Sequence, residues 1–340
     1  LKSPNPIIAT ILRGGRVESV HRGFGAATDA RGTLQARFGD CEAPVYWRSA
    51  AKPFQSMPFL EAGGESEFRL SREEIALACA SHDGEPRHTE TARAMLEKGG
   101  FSEKDLRCGS HAPYDEDSAA ALLRAGERFN ALHNNCSGKH AAMLLACRLL
   151  GFDPKTYDQP DHPLQKLIRE KIAFYSLFPA ADIEIAVDGC SAPVFRLPIS
   201  RLAASYARLL FSGPLDLESQ EAWSVRRRIV SAMTGSPFFV SGTGQFTTRF
   251  IEAGAGRWIG KEGAEGVYAI GISAPRNLGI AFKVDDGGGR PRNAVALDFL
   301  RKLGEEIPAG VADSVRPALK NVRGLSVGEI VPDVPLELVS

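Results

Sequence analysis

"IIATILRGGRVESVHRG", residues 7–23, sets two runs of alternating apolar and polar side chains on either side of Gly14-Gly15, the pattern of an antiparallel hairpin. Just beyond it, "GAATDARGTLQARFGD" (residues 25–40) places the turn Asp29 to Gly32 between two more strand-like runs. Strand patterns return only near the other end, in "GVYAIGIS" (266–273) and "LGIAFKVDDGGG" (278–289), ahead of a helical "AVALDFLRKLG" (294–304). Between the two ends, from about residue 50 to 240, the period is helical. "SREEIALACAS" (71–81) starts on a Ser71/Glu74 capping box, and "HPLQKLIREKIAFYSL" (162–177), "ISRLAASYARLLF" (199–211) and "ESQEAWSVRRRIVSAM" (218–233) follow, with one strand-like interruption at "IEIAVDG" (183–189). This order predicts an α+β fold in a single domain over residues 1–340, with one antiparallel sheet built from N- and C-terminal strands and a large helical region between. A doubly wound fold would alternate strand and helix from the start.

The 41 basic and 41 acidic side chains balance, so no global field favours nucleic acid or an acidic membrane, and a small neutral partner is expected. No apolar run approaches the roughly 20 residues of a membrane span, and "LKSPNPIIATILRGG" lacks the form of a signal peptide. A cytoplasmic location is the expectation. The six cysteines have no disulfide-framework spacing and are expected as thiols. "VDDGGGRPRN" (284–293) is a glycine-rich turn without the Lys-Ser/Thr of a phosphate cradle.

Several stretches carry side chains suited to chemistry. In "YWRSAAKPF", Ser49 and Lys52 are three residues apart at a helix start, a spacing that puts hydroxyl and amine on one face. A neutral amine there can act as general base for the hydroxyl. "LACASHDGEPRH" ends an apolar helix on Ser81, with His82, Asp83 and His88 behind it; a second reactive hydroxyl, a metal site on those three residues and a solvated loop all fit. "RWIGKEGAEGVYAIG" sets Lys261 among glycines just before a buried strand, where it can reach a site or simply decorate a hairpin. "NNCSGKHAAMLLACRLLG" (134–151) puts Cys136, Lys139 and His140 on the first turn of a helix, whose N-terminus favours thiolate. Cys190, on the turn after a strand and beside Asp188, is the second candidate thiol, and two cysteines with His140 or Asp188 would make a three-ligand zinc site. Two ordinary buried cysteines are the plainer alternative, and Cys79 and Cys147 read that way outright.

Taken in order, "RSAAKP", "ASHDGE", "HNNCSGKHAAML", "DGCSAP" and "GKEGAEGVYAIG" resemble the asparaginase II family, the Rhizobium etli type of L-asparaginase, over nearly the whole chain. The resemblance implies a serine β-lactamase/glutaminase-like fold, a homodimer, and hydrolysis of L-asparagine to L-aspartate and ammonia. It implies two Ser-Lys tandems, Ser49 with Lys52 and Ser81 with Lys261, and zinc held by Cys136, Lys139 and Cys190. Asp188 matches an acidic residue beside the site, where it would meet the substrate ammonium or hold Lys139. Arg48 is the candidate for the substrate carboxylate, and His140 for a further contact. One departure from the family is that "SGTGQFTTRF" (241–250) holds no cysteine, since none occurs beyond Cys190. A glutaminase, a β-lactamase-like enzyme, and a non-catalytic zinc or amino-acid binding protein are the competing functions.

Overall fold

The computed structural model describes residues 5–339. Along the chain the strands are β1 (Ile7–Arg13), β2 (Arg16–Asp29), β3 (Leu34–Phe38), β4 (Pro44–Tyr46), β5 (Glu184–Val187), β6 (Pro193–Pro198), β7 (Trp258–Gly263), β8 (Val267–Ile272), β9 (Leu278–Val284), β10 (Ala318–Lys320), β11 (Ser326–Pro332) and β12 (Glu337–Leu338). Where the sequence suggests one domain, contacts gather the chain into two compact units. Of the described residues, the first comprises 5–50, 197–212 and 252–339; the second comprises 51–196 and 213–251.

The first unit is built on a nine-stranded sheet in the order β10-β11-β1-β2-β9-β8-β7, with β3 on the inner half of β2 and β12 on β3. The hairpin at Gly14-Gly15 forms as its pattern predicts, both glycines having positive φ. The two chain ends meet twice in this sheet: Ala9 to Arg13 face Gly328 to Pro332, and Gly23 to Asp29 face Leu278 to Val284, all antiparallel.

Every residue of β8 is buried, because helices cover both faces of the sheet. The helix Ile199–Leu210 lies on one face so closely that a Cβ at Gly279 would fall 1.9 Å from the Ala203 carbonyl oxygen. On the other face Arg292, at the start of the helix Arg292–Lys302, sits over the Tyr268 ring at 5.7 Å. The helix Ile199–Leu210 thus belongs to the sheet unit, although its sequence lies within the expected helical region.

The second unit is helical around the buried helix Ser137–Leu150, with β5 and β6 as a hairpin at its side. The capping box forms as the sequence predicts: Ser71 Oγ accepts from the Glu74 amide and Glu74 Oε2 from the Ser71 amide, starting the helix Arg72–Ala78. Gly138 lets the first turn of Ser137–Leu150 touch the end of that helix, since a Cβ there would meet the Leu77 carbonyl oxygen at 2.4 Å. A buried ion pair joins Arg226 to Glu218, at 1% and 0% side-chain exposure. Among the described residues no helix is long and apolar enough to cross a membrane.

Candidate active site

Arg48 to Ala51 form a 3-10 turn that runs into the short helix Lys52–Gln55, with Pro53 in its first turn, where a missing N–H costs nothing. Arg48 has φ +50°, a left-handed conformation that costs a non-glycine residue about 1–2 kcal/mol and reverses the chain just before Ser49. Ser49 therefore lies on the 3-10 turn, and Lys52 is the first residue of the helix.

In the helical unit Lys52 is 1% exposed. Its Nζ donates to the Ala80 carbonyl at 2.5 Å and the Asn135 carbonyl at 3.4 Å, and lies 3.0 Å from Ser81 Oγ. Ser81 follows the helix Arg72–Ala78, and its own amide is fixed on the Val240 carbonyl at 3.0 Å. The structure therefore brings Lys52 to Ser81, a pairing that crosses the two tandems expected from the resemblance. A neutral lysine has two N–H bonds and one lone pair. The Lys52 amine stands as donor to both carbonyls and to Ser81 Oγ, and loss of one of its protons would free a lone pair for the Ser81 hydroxyl, the arrangement of a general base.

Lys261 belongs to the sheet unit. It is not on a hairpin before a strand but inside β7, opposite Ala269 and 0% exposed. A buried ammonium needs a partner, and its Nζ meets Glu262 Oε1 at 2.9 Å and the Glu262 carbonyl at 3.2 Å. Sequence reasoning passed over Glu262, although an acid next to a lysine in an otherwise apolar run was the available signal.

The third group of candidates converges within the helical unit. Cys136 caps the helix Ser137–Leu150, Cys190 sits on the turn between β5 and β6, and Lys139 Nζ donates to Cys190 Sγ at 3.0 Å. The hydrogen bond from Cys136, with the Lys139 charge and the neighbouring His140 ring, overcomes burial and holds the Cys190 thiol far below its ordinary value. Cys136, donating to that sulfur and buried, is pushed well above. Burial opposes charge on Lys139, but the two sulfurs and Asp188 outweigh it and raise its pKa. Charge is thus favoured on Cys190 and Lys139 and disfavoured on Cys136.

The Asp188 carboxylate closes its own turn by accepting from the Gly189 amide at 2.7 Å, while its charge acts on Lys139. His140 is 0% exposed, with Nδ1 on Tyr157 Oη at 2.7 Å and a buried Nε2 that forms no hydrogen bond of ordinary geometry. Its ring is near enough to Cys190 to help hold that thiol low.

Among the described residues no three His, Cys, Asp or Glu side chains are arranged to hold a metal ion. This removes the alternative built on His82, Asp83 and His88. His82 Nε2 is taken by Ser137 Oγ at 2.8 Å, His88 Nε2 by the Phe238 carbonyl at 3.0 Å, and an Asp83 oxygen by Gln245 Nε2. The donors that gather at the cysteine cluster include two sulfurs and the Lys139 amine. Two sulfurs and an amine gathered at one buried point suit a soft divalent ion such as zinc once the lysine has lost its proton.

The antiparallel sheet and the helical unit make an α+β protein, and within the helical unit the buried Lys52 amine lies beside the half-buried Ser81 hydroxyl. The family model for L-asparaginase II matches residues 9–332, and the chain belongs to that family. Among solved structures, Mglu in its native form is similar at 15% identity and a TM-score of 0.46, covering 84% of this chain and 65% of that one. Mglu in 4.3 M NaCl has a TM-score of 0.37 at 15% identity, covering 84% and 60%. A β-lactamase from Mycobacterium bovis has 0.42 at 15% identity, covering 82% and 94%. The chain thus spans less than two thirds of either Mglu chain. No curated protein matches it.

Proposed function

We propose that the protein is an L-asparagine amidohydrolase working by covalent acyl transfer. The observation that carries this reading is Lys52, buried with Ser81 Oγ 3.0 Å from its Nζ and two carbonyls ready to occupy its N–H bonds. Ser49 Oγ attacks the side-chain amide carbon while Lys52 takes the hydroxyl proton, giving a tetrahedral oxyanion. The Ser49 amide, on its 3-10 turn, is the first candidate donor to that oxyanion. Lys52 then passes the proton through Ser81 to the leaving nitrogen, the C–N bond breaks, and ammonia departs. Water, deprotonated by the same amine, hydrolyses the β-aspartyl ester to aspartate and free Ser49. Lys261 is proposed as the second lysine that turnover requires, Asp188 as partner of the substrate ammonium, and Arg48 as partner of its carboxylate.

Zinc, where bound, would be held by Cys136, Lys139 and Cys190 and would supply a metal centre that helps orient the substrate. With two thiolates and a neutral amine the assembly carries no net charge, which favours orientation over strong Lewis-acid chemistry. A homodimer in the cytoplasm, without nucleic acid or membrane partners, completes the proposal.

The Lys52–Ser81 bond equally favours a second reading, in which Ser81 is the nucleophile. Trapping the acyl-enzyme and mapping it by mass spectrometry separates the two: the adduct sits on Ser49 in the first case and on Ser81 in the second. The reaction itself is tested by ammonia release from L-asparagine, L-glutamine and no substrate, with a chromogenic β-lactam alongside. Each assay is run as isolated, after chelation, and after zinc re-addition. Ammonia from asparagine supports the proposal, and its loss on chelation places the cysteine cluster in function. Asparagine binding without ammonia release would turn the protein into an amino-acid binding protein.

A further inference from the structure

We infer that His82 is a positioning residue: as its Nε2–H tautomer it ties the loop of Ser81 to the helix turn carrying Cys136 and Lys139, so the serine–lysine pair keeps its geometry only while that turn is held. The inference rests on the amidohydrolase reading and adds to it the link between the two residue clusters.

Two hydrogen bonds flank Cys136. The carbonyl of Asn135 accepts from Lys52 Nζ, and Oγ of Ser137 is bonded to His82 Nε2 at 2.8 Å. Residues 135 and 137 are thus both attached to the serine–lysine side, while residue 136 between them is a thiol of the other cluster. The tautomer follows from the neighbours. The Gly84 amide donates to His82 Nδ1 at 3.1 Å, so Nδ1 carries no proton, and a neutral ring must then carry it on Nε2 and donate to Ser137.

The ring is 0% exposed, and burial lowers its pKa well below the ordinary value, which keeps it neutral. It stacks on His88 at 5.0 Å and 25°, and His88 stacks on Phe238 at 4.3 Å and 10°. Gly84 reaches the required place with φ +80°, a conformation that glycine adopts without strain. On the apolar side of the same junction, the contact between Gly138 and the Leu77 carbonyl leaves the turn no room to slide inward. One buried imidazole therefore closes the polar side of a joint whose apolar side is already at contact distance.

Glutamine places an N–H donor near the position of imidazole Nε2, whereas asparagine reaches only the Nδ1 position. Wild type, His82→Asn, His82→Gln, Ser137→Ala and the double variant His82→Asn/Ser137→Ala are compared by ammonia release and by iodoacetamide labelling of Cys136, mapped by mass spectrometry. In His82→Asn, kcat is expected to fall about 10- to 100-fold with KM within about 3-fold, as for a misplaced but intact apparatus. Labelling of Cys136 should rise about 10-fold or more as its turn loosens. His82→Gln restores both, Ser137→Ala repeats the loss, and the double variant is no worse than either single one.

Wild-type kcat in His82→Asn overturns the inference. So does a fall in kcat with Cys136 labelling unchanged, or failure of His82→Gln to recover either quantity. If wild type releases no ammonia, the amidohydrolase reading fails by itself. The labelling series then still decides the joint: acceleration reversed by glutamine supports it, and unchanged labelling refutes it.

Discussion

Replacing Lys52 by methionine separates the catalytic from the structural work of one buried amine. Methionine keeps most of the side-chain volume, so no large cavity opens around a residue that is 1% exposed. Two opposing terms then act on stability. The Ala80 and Asn135 carbonyls lose their donor, at about 1–3 kcal/mol each for a buried acceptor left unpaired. Against this, the protein no longer holds an amine whose charged form costs several kcal/mol to desolvate. The two nearly cancel, and Lys52→Met should unfold within about 2 kcal/mol of wild type, in either direction.

Activity has no such compensation. A positioned general base is worth about 10²- to 10⁴-fold, so kcat/KM for ammonia release should fall by at least about 100-fold, or about 2.7 kcal/mol. The assay is coupled ammonia detection beside a chemical denaturation curve on the same preparation. Retention of more than about a tenth of the activity would refute the role of Lys52 as base. Activity that falls only in step with the folded fraction would reduce the residue to a structural one.

Three further outcomes follow from the geometry. The Arg226–Glu218 pair is fully buried and is completed by Tyr175 Oη and the Leu215 amide, so Arg226→Leu should destabilise by about 3–5 kcal/mol, whereas Arg226→Leu with Glu218→Leu should recover most of that in denaturation curves. Burial works against ionisation of Glu218, but Arg226 and the Leu215 amide outweigh it and lower its pKa. Its contribution is therefore complete above the ordinary carboxylate value and is lost as pH falls toward the depressed folded value, and in Arg226→Leu, where burial is less opposed, that acid-side loss should shrink or reverse. His82 and His88 are both lowered, chiefly by burial, so below about pH 6.5 the unfolded chain binds protons that the folded chain refuses. Stability should decline as pH falls from 6.5, less steeply in His88→Gln. Gly279→Ala would drive a methyl into the Ala203 carbonyl and should cost about 1–3 kcal/mol or more, while Gly289→Ala, with nothing within 4 Å, should be silent in thermal unfolding.

Much of the fold was legible in the sequence because the signals are local. Alternation around Gly14-Gly15, the Ser71/Glu74 box and the continuous apolar runs of β8 and β9 each report on residues a few positions apart, and each formed as read. Strands at both ends with helices between implied a sheet closed by distant segments, and the pairing of β2 with β9 is that closure. Motif order also picked two cysteines that the structure brings together, since a helix N-terminus and a strand end both present side chains to a common interior.

The partnerships of the long, charged side chains were decided by tertiary structure alone. Sequence spacing attached Lys52 to Ser49; a lysine stem spans several ångströms, and packing also brought its amine to a serine 29 residues on. Spacing left Lys261 between a site lysine and a surface hairpin lysine, because periodicity assigns burial to apolar side chains; the sheet buried it and Glu262 met its charge. His82 and Ser137, 55 residues apart, carry no pattern that links them, and only the contact at Gly138 brings them within 2.8 Å. Local propensity thus fixed which elements exist, while the choice of which donor meets which acceptor waited for the chain to exclude water from one shared interior.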